Sequence, residues 1–178
     1  YNSWSQGSSC MKVAASDNIV VFRASEVAFL RAEGALRGWN MGGSPKDLYE
    51  AGIRLSFEEN NISSGVESYL ANTGKVEGYK DPLKGQSGQT YDYSGSINTA
   101  VTVAWAGGDF EKSLEQIITQ KWIANFPNGM ESWSEYRRTG YPKLMPMAAN
   151  ASSGIVDDTE GARRMPYPVS YTHLRAHE

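Results

Sequence analysis

Cys10 is the only cysteine in this 178-residue chain, which excludes an internal disulfide and a cysteine metal site. Histidine is nearly as scarce. His173 and His177 are the only two and both stand in the C-terminal tail, so the body of the chain lacks the usual general base and metal ligand. There is no basic excess: 17 basic and 20 acidic residues give a net charge of -3, and no positive field points to nucleic acid. No apolar run reaches bilayer-spanning length, and no Met or charged-then-apolar leader opens the sequence. Cys10 follows Ser8 and Ser9 rather than an apolar stretch, so it does not read as a lipid-attachment cysteine. Tyr1-Asn2-Ser3-Trp4 starts as though cut from something longer, and the expectation is a C-terminal portion of a larger protein.

What is present is aromatic and helical. The length fits one domain with a real core. The 5 Trp and 10 Tyr serve core filling in the commoner case and sugar stacking in the functional one. Ile19-Val20-Val21-Phe22 leads into a helix with Ser25 as N-cap, running to about Arg37 and stopped by Gly38. Ala28, Phe29, Ala32, Ala35 and Leu36 form one apolar arc of it, Val27 and Leu30 a second. Glu26, Glu33 and Arg37 share a polar strip, and Arg31 falls outside it. Ser44-Pro45-Lys46-Asp47 opens the next helix, with a polar ladder of Asp47, Glu50, Arg54 and Glu58. The two make an αα-hairpin compatible with one TPR-like unit. Ser64 to Asn72 reads as a further short helix. Gly- and Tyr-rich sequence from Thr73 to Gly108 is irregular, with alternation at Thr99–Ala106 that allows a strand. Asp109 caps a helix to about Phe126, ended by Pro127, with Phe110, Leu114, Ile117, Ile118 and Trp122 on one stripe. Lys121 projects into that stripe and must either snorkel out or meet a buried acid. With a single partner acid, Lys121→Met should cost less than removing that acid alone. Met130, Trp133 and Tyr136 share a face of the last short helix, and Trp122 and Trp133 are read as core.

Catalytic constellations are absent from the pattern. The acid doublets Glu58-Glu59 and Asp157-Asp158 are adjacent in sequence, whereas a glycosidase needs two carboxylates flanking a bond. Calcium-loop spacing is missing, no Gly-Lys-Ser/Thr follows Gly42-Gly43-Ser44-Pro45, and no serine has a histidine partner in the body. No metal and no cofactor are expected. Arg137-Arg138 and Arg163-Arg164 read as forks that tie carbonyls or carboxylates. Trp39 follows a helix end and is open to either reading. The candidate ligand residues are Tyr79, Tyr91, Tyr93 and Trp105, in the irregular segment where binding groups gather on a rigid scaffold, with Gln89, Asp92 and Asn98 nearby.

Several of these segments, in order, resemble the SusD/RagB family. Phe22-Arg23-Ala24-Ser25-Glu26-Val27-Ala28-Phe29-Leu30-Arg31-Ala32-Glu33 resembles the helix that opens the family's C-terminal part, and Tyr49-Glu50-Ala51-Gly52-Ile53-Arg54-Leu55-Ser56-Phe57 its partner. Gln120-Lys121-Trp122, Trp133 and Tyr136-Arg137-Arg138-Thr139-Gly140-Tyr141-Pro142 resemble the closing segment of its nutrient-binding lipoprotein branch. Arg163-Arg164-Met165-Pro166-Tyr167-Pro168 resembles the final motif. The likeness spans roughly residues 20–169. It implies a mostly α fold of TPR-like hairpins and long irregular loops, lacking the family's N-terminal part. It also implies a non-enzymatic role at the outer-membrane surface: binding oligosaccharide or another nutrient for a TonB-dependent, SusC-type transporter. A TPR-like module that binds a polypeptide is the alternative from the helix pattern alone.

Residues 1–169 are thus expected to be the C-terminal portion of a SusD-like domain. Ser170-Tyr171-Thr172-His173-Leu174-Arg175-Ala176-His177-Glu178 departs from the family pattern and reads as translated adapter or vector sequence. Deleting residues 170–178 should leave the melting temperature unchanged within error. A drop of several degrees would make the tail part of the fold.

Overall fold

The computed structural model describes residues 14–16, 20–75, 78, 101–145, 152–157, 159 and 161–162. The chain divides into two compact units, Tyr1–Leu144 and Met145–Glu178. Among the described residues the first holds five helices and no strand: α1 (Ala24–Leu36), α2 (Pro45–Glu59), α3 (Val66–Leu70), α4 (Phe110–Ala124) and α5 (Gly129–Thr139). None of these is long and apolar enough to cross a membrane. In the second unit the described residues include one antiparallel bridge, Asp157 to Gly161, closing a turn in which Asp157 accepts from Thr159. Residues 170–178, Arg163-Arg164 and Cys10 lie outside the described residues.

Local chemistry sets the helix ends. Ser25 is not the N-cap expected of it. The cap position is Arg23, which makes no side-chain cap bond, and Ser25 lies inside the first turn. There its hydroxyl donates to Glu59 Oε2 at 2.6 Å and its backbone N–H to Glu59 Oε1 at 2.9 Å. A carboxylate from the end of α2 thus satisfies an orphan amide of α1 and meets its positive dipole end. At the other end Gly38, at φ +85°, lets its N–H bond to Ala35 O and that of Trp39 to Gly34 O. This double bond pattern is a Schellman stop, and the left-handed conformation favours glycine. Ser44 caps α2 by accepting from the Asp47 N–H, with Pro45 in the first turn. Asp109 caps α4 through the N–H groups of Glu111 and Lys112, and Asn128 caps α5 through that of Glu131. α3 is shorter than the Ser64–Asn72 expected.

The core joins Phe29 and Ala32 of α1, Leu48, Tyr49 and Ile53 of α2, and Ile117 and Ala124 of α4. Phe29 meets Tyr49 edge to face, 6.3 Å between centroids. Gly52 makes this contact possible. A Cβ at that position would come within 2.8 Å of the Phe29 ring. The helix therefore tolerates a residue that weakens its interior by about 1 kcal/mol.

The two acids of the α1 polar strip are buried, while Arg37 is exposed. Glu26 and Glu33 are 5% and 6% exposed, while Val27 and Leu30 are 39% and 42% exposed. A helical wheel ranks faces by polarity alone, and here the packing helices bring their own cations to the acidic face. Lys121 of α4, 1% exposed, places its Nζ 2.8 Å from Glu135, 3.4 Å from Glu26 and 3.5 Å from Glu131. Arg138 of α5 forks onto both oxygens of Glu33 at 2.7 and 2.6 Å and also reaches Glu135 at 2.6 Å. Arg37 holds Glu33 from one turn along α1. Of the Arg137-Arg138 doublet, Arg138 forks onto carboxylates as expected whereas Arg137 lies over the Trp133 ring, and Lys121 meets buried acids rather than snorkelling out. Arg31 stays exposed and donates to Met41 O.

Other expectations need correction. Trp122 is 38% exposed, and Trp133 is only partly buried, with the Arg137 guanidinium 4.6 Å above its ring. Their helices turn Lys121 and Glu135 inward instead, to the ion cluster. Residues 101–106 form no strand. Side chains replace the ladder: Gln116 Nε2 donates to Thr102 O and Ala104 O, its Oε1 accepts from the Ala106 N–H, and Tyr49 Oη donates to Val103 O.

Three outcomes follow for stability. Gly52→Ala should lower the melting temperature, because overpacking a buried ring costs about 1–3 kcal/mol and outweighs the gain in helix propensity. A rise would show that the Phe29 ring yields freely. Lys121→Met should cost about 3–5 kcal/mol and more than any single acid removal, since it takes the Lys121 cation from buried Glu26 and leaves Glu135 to Arg138 alone. This reverses the order expected from a single partner. Denaturant titration of Lys121→Met and Glu135→Gln checks the ranking. Finally, burial pushes the Glu26 carboxyl up, against the pull of Lys121. Burial also pushes on Glu33, but hydrogen bonds from Arg138 and Arg37 outweigh it and hold that carboxyl down. Unfolded, both titrate near 4.5. Just above that pH the fold binds the extra proton at Glu26, so this group's contribution falls as pH rises. Below it the unfolded chain binds the extra proton at Glu33, so that contribution is lost as pH falls. The Glu26→Gln penalty should shrink on going up from 4.5, and the Glu33→Gln penalty should shrink on going down from it. Melting temperatures against pH with slopes of the same sign would contradict this.

Candidate functional site

α4 runs antiparallel to α1, because Lys121 near its end meets Glu26 near the start of α1. The start of α4 is thereby carried to the start of α2. Between these two helix N-termini lies a cleft of about 470 Å³ whose lining includes Pro45 and Lys46 of α2, Asp109, Phe110 and Ser113 of α4, and Trp105.

Trp105 is partly buried and held from behind. Its ring lies 5.1 Å from that of Tyr49, and the segment that carries it is pinned at Val103 by Tyr49 and on either side by Gln116. Burial pushes the Tyr49 phenol well above its ordinary range, with Tyr69 and Glu50 adding to the effect, so it remains a neutral donor. Gly107 sits at φ +64°, and a Cβ there would stand 3.2 Å from the indole Nε1. The indole is therefore a fixed wall rather than a swinging side chain. On the rim, Lys46 stays largely solvated while reaching Glu50 at 3.7 Å. Ser113, in the first turn of α4, adds its side chain to the lining. Asp109 is engaged by the amides it caps. Beside the cleft mouth of α4, Tyr141 donates to Glu111 at 3.0 Å, and burial with that bond pushes its phenol up to about 12.

Such a site offers a flat apolar wall, a hydroxyl and an ammonium. That set suits a ligand with an apolar face and polar edges. Among the described residues it pairs no nucleophile with an activating base. Glu59, from one acid doublet, is committed to Ser25 and Arg23, and no group of three or more metal-ligating side chains is found among the described residues.

Of the four residues singled out in the sequence, the structure locates Trp105 in the cleft. Tyr79, Tyr91 and Tyr93 lie outside the described residues, as do Gln89, Asp92 and Asn98. Trp39, open to either reading, is 63% exposed and is not among the cleft residues. Lys46 and Ser113 were missed. Their helix starts were legible as capping signals, but nothing local reveals that two starts meet.

A family model described as SusD-like, SusD and RagB outer-membrane lipoprotein, matches residues 2–176. No curated protein matches the chain. Among solved structures, a SusD homologue from Bacteroides ovatus is 84% identical, with a TM-score of 0.89 over 99% of this chain and 36% of its own. A SusD homologue from Bacteroides thetaiotaomicron is 50% identical, with a TM-score of 0.79 over 93% of this chain and 34% of its own. A chitin-binding SusD homologue from Flavobacterium johnsoniae is 46% identical, with a TM-score of 0.77 over 89% and 32%. The chain thus spans about a third of the length of these relatives. By the family match and by these identities, the chain belongs to the SusD-like family of outer-membrane lipoproteins.

Proposed function

We propose that this chain supplies a sugar-holding cleft to a protein that captures oligosaccharide at the outer membrane. The ligand is handed on to a TonB-dependent, SusC-type transporter, and no bond in it is broken. The observation that carries this reading is the fixed, partly exposed indole of Trp105 between two helix N-termini, with Lys46 and Ser113 at its edge. Sugar rings present apolar CH faces and polar rims, which match a flat aromatic wall with nearby hydrogen-bonding groups. Membership of the family supports the reading, as does the chitin-binding relative from Flavobacterium johnsoniae. A polypeptide ligand would call for a groove lined by helix faces, whereas this cleft is bounded by helix starts and the Gly107-Gly108 loop. Tyr79, Tyr91 and Tyr93 join the proposal as further platform residues on sequence grounds.

A stacking aromatic contributes about 1 kcal/mol beyond area burial. Trp105→Ala should therefore weaken glycan retention about fivefold or more in affinity electrophoresis or calorimetry against a polysaccharide panel. Because Tyr49 rests on this ring, circular dichroism must show the variant folded, and Trp105→Phe provides a milder companion that keeps the packing. Unchanged retention in both folded variants would remove Trp105 from the site.

A further inference from the structure

A second cavity, about 290 Å³, lies between α3, α4 and the start of the 101–106 segment, and among the described residues it shares no lining residue with the Trp105 cleft. Its lining combines the Tyr69 ring, Val103 and Ile123 with Asn72, Lys75 and Gln120. Gln120 is the informative member. It is 7% exposed, and its Oε1 accepts from the Tyr69 hydroxyl at 3.0 Å. That bond commits the carbonyl end of the amide, and the NH2 end has no acceptor among the described residues. Asn125 Nδ2 is the one described side-chain atom both buried and without a partner, so water reaches the Gln120 NH2 in the cavity, and a ligand oxygen can take that water's place. Tyr69 is itself held by packing on Phe57, 5.4 Å between ring centroids, so the Tyr69–Gln120 pair is preformed. Apolar walls with a small number of convergent polar groups are the usual make-up of a small-molecule site.

We propose that this cavity is a second sugar subsite that seats one ring through a hydroxyl or ring oxygen accepting from the Gln120 amide. The apolar wall of Val103 and Ile123 takes the ring's CH face, and Lys75 and Asn72 meet its outer hydroxyls. The choice of a sugar over other small hydroxylated ligands rests on the glycan reading above, whereas the cavity and its free donor do not.

The test is amide NMR of the 178-residue chain titrated with glucose, galactose and N-acetylglucosamine, with glycerol as control. At least one sugar should shift the Gln120 side-chain NH2 pair saturably, and Trp105→Ala should leave that shift in place. Gln120→Glu keeps the volume and the acceptor for Tyr69 while removing the donor, so it should weaken this binding fivefold or more. Gln120→Leu should abolish it if the variant folds. An NH2 pair unmoved by all three sugars overturns the proposal, as does an equal response to glycerol or unaltered affinity in Gln120→Glu. If Trp105→Ala has no effect on polysaccharide retention while the Gln120 shift persists, the Trp105 reading fails and this subsite stands.

Discussion

One buried ammonium among three carboxylates organises the first unit. Lys121 stands within reach of acids from α1 and α5, and Arg138 closes the cluster by holding Glu33 and Glu135 together. Desolvation offsets most of the attraction in such a cluster, so its net stabilisation is small, but breaking it is costly. Its effect is therefore mainly geometric. It decides that the acidic face of α1, not the Val27–Leu30 face, meets α4 and α5. The raised Arg138 guanidinium, bonded first of all by Glu33, stays charged throughout the range in which the acids titrate.

That choice of face reaches the cleft. With the end of α4 tied to the start of α1, the start of α4 must lie beside the Schellman turn and the start of α2. Trp105 is then trapped between them, resting on Tyr49, while Gln116 and Tyr49 satisfy the backbone of the segment on which it rides. Functional groups thus sit on a loop, yet the loop is fixed by two helical side chains, which is how a binding wall gains rigidity without regular structure.

Much of this architecture was legible in the residues. Ser44-Pro45, Asp109 and Gly38 marked helix ends correctly because capping is local chemistry. The apolar arc of Phe29 and Ala32 and the inward Lys121 were also visible. What failed depended on tertiary partners. Glu26 and Glu33 read only as part of a polar strip because Lys121 and Arg138, which bury them, lie some ninety residues or more away, and Thr99–Ala106 read as compatible with a strand because alternation cannot reveal that Gln116 will occupy carbonyls of its described part. Ser25 read as a cap because the competing use of its hydroxyl comes from Glu59 at the far end of α2. At the site, Trp105 was legible as an aromatic outside core periodicity, whereas Lys46 and Ser113 become neighbours only through the antiparallel docking of α4.

The central claim is that the ion cluster makes α1, α4 and α5 one cooperative frame, with the cleft preformed upon it. Native-state hydrogen exchange measures this directly, because elements that open together share one opening free energy. The backbone amides of Ser132 and Glu135 in α5 should open with the same free energy as those of Ala32 in α1 and Ile118 in α4. If α5 instead exchanges through a separate opening of much lower free energy, the cluster does not bind the helices into one unit, and the account is wrong.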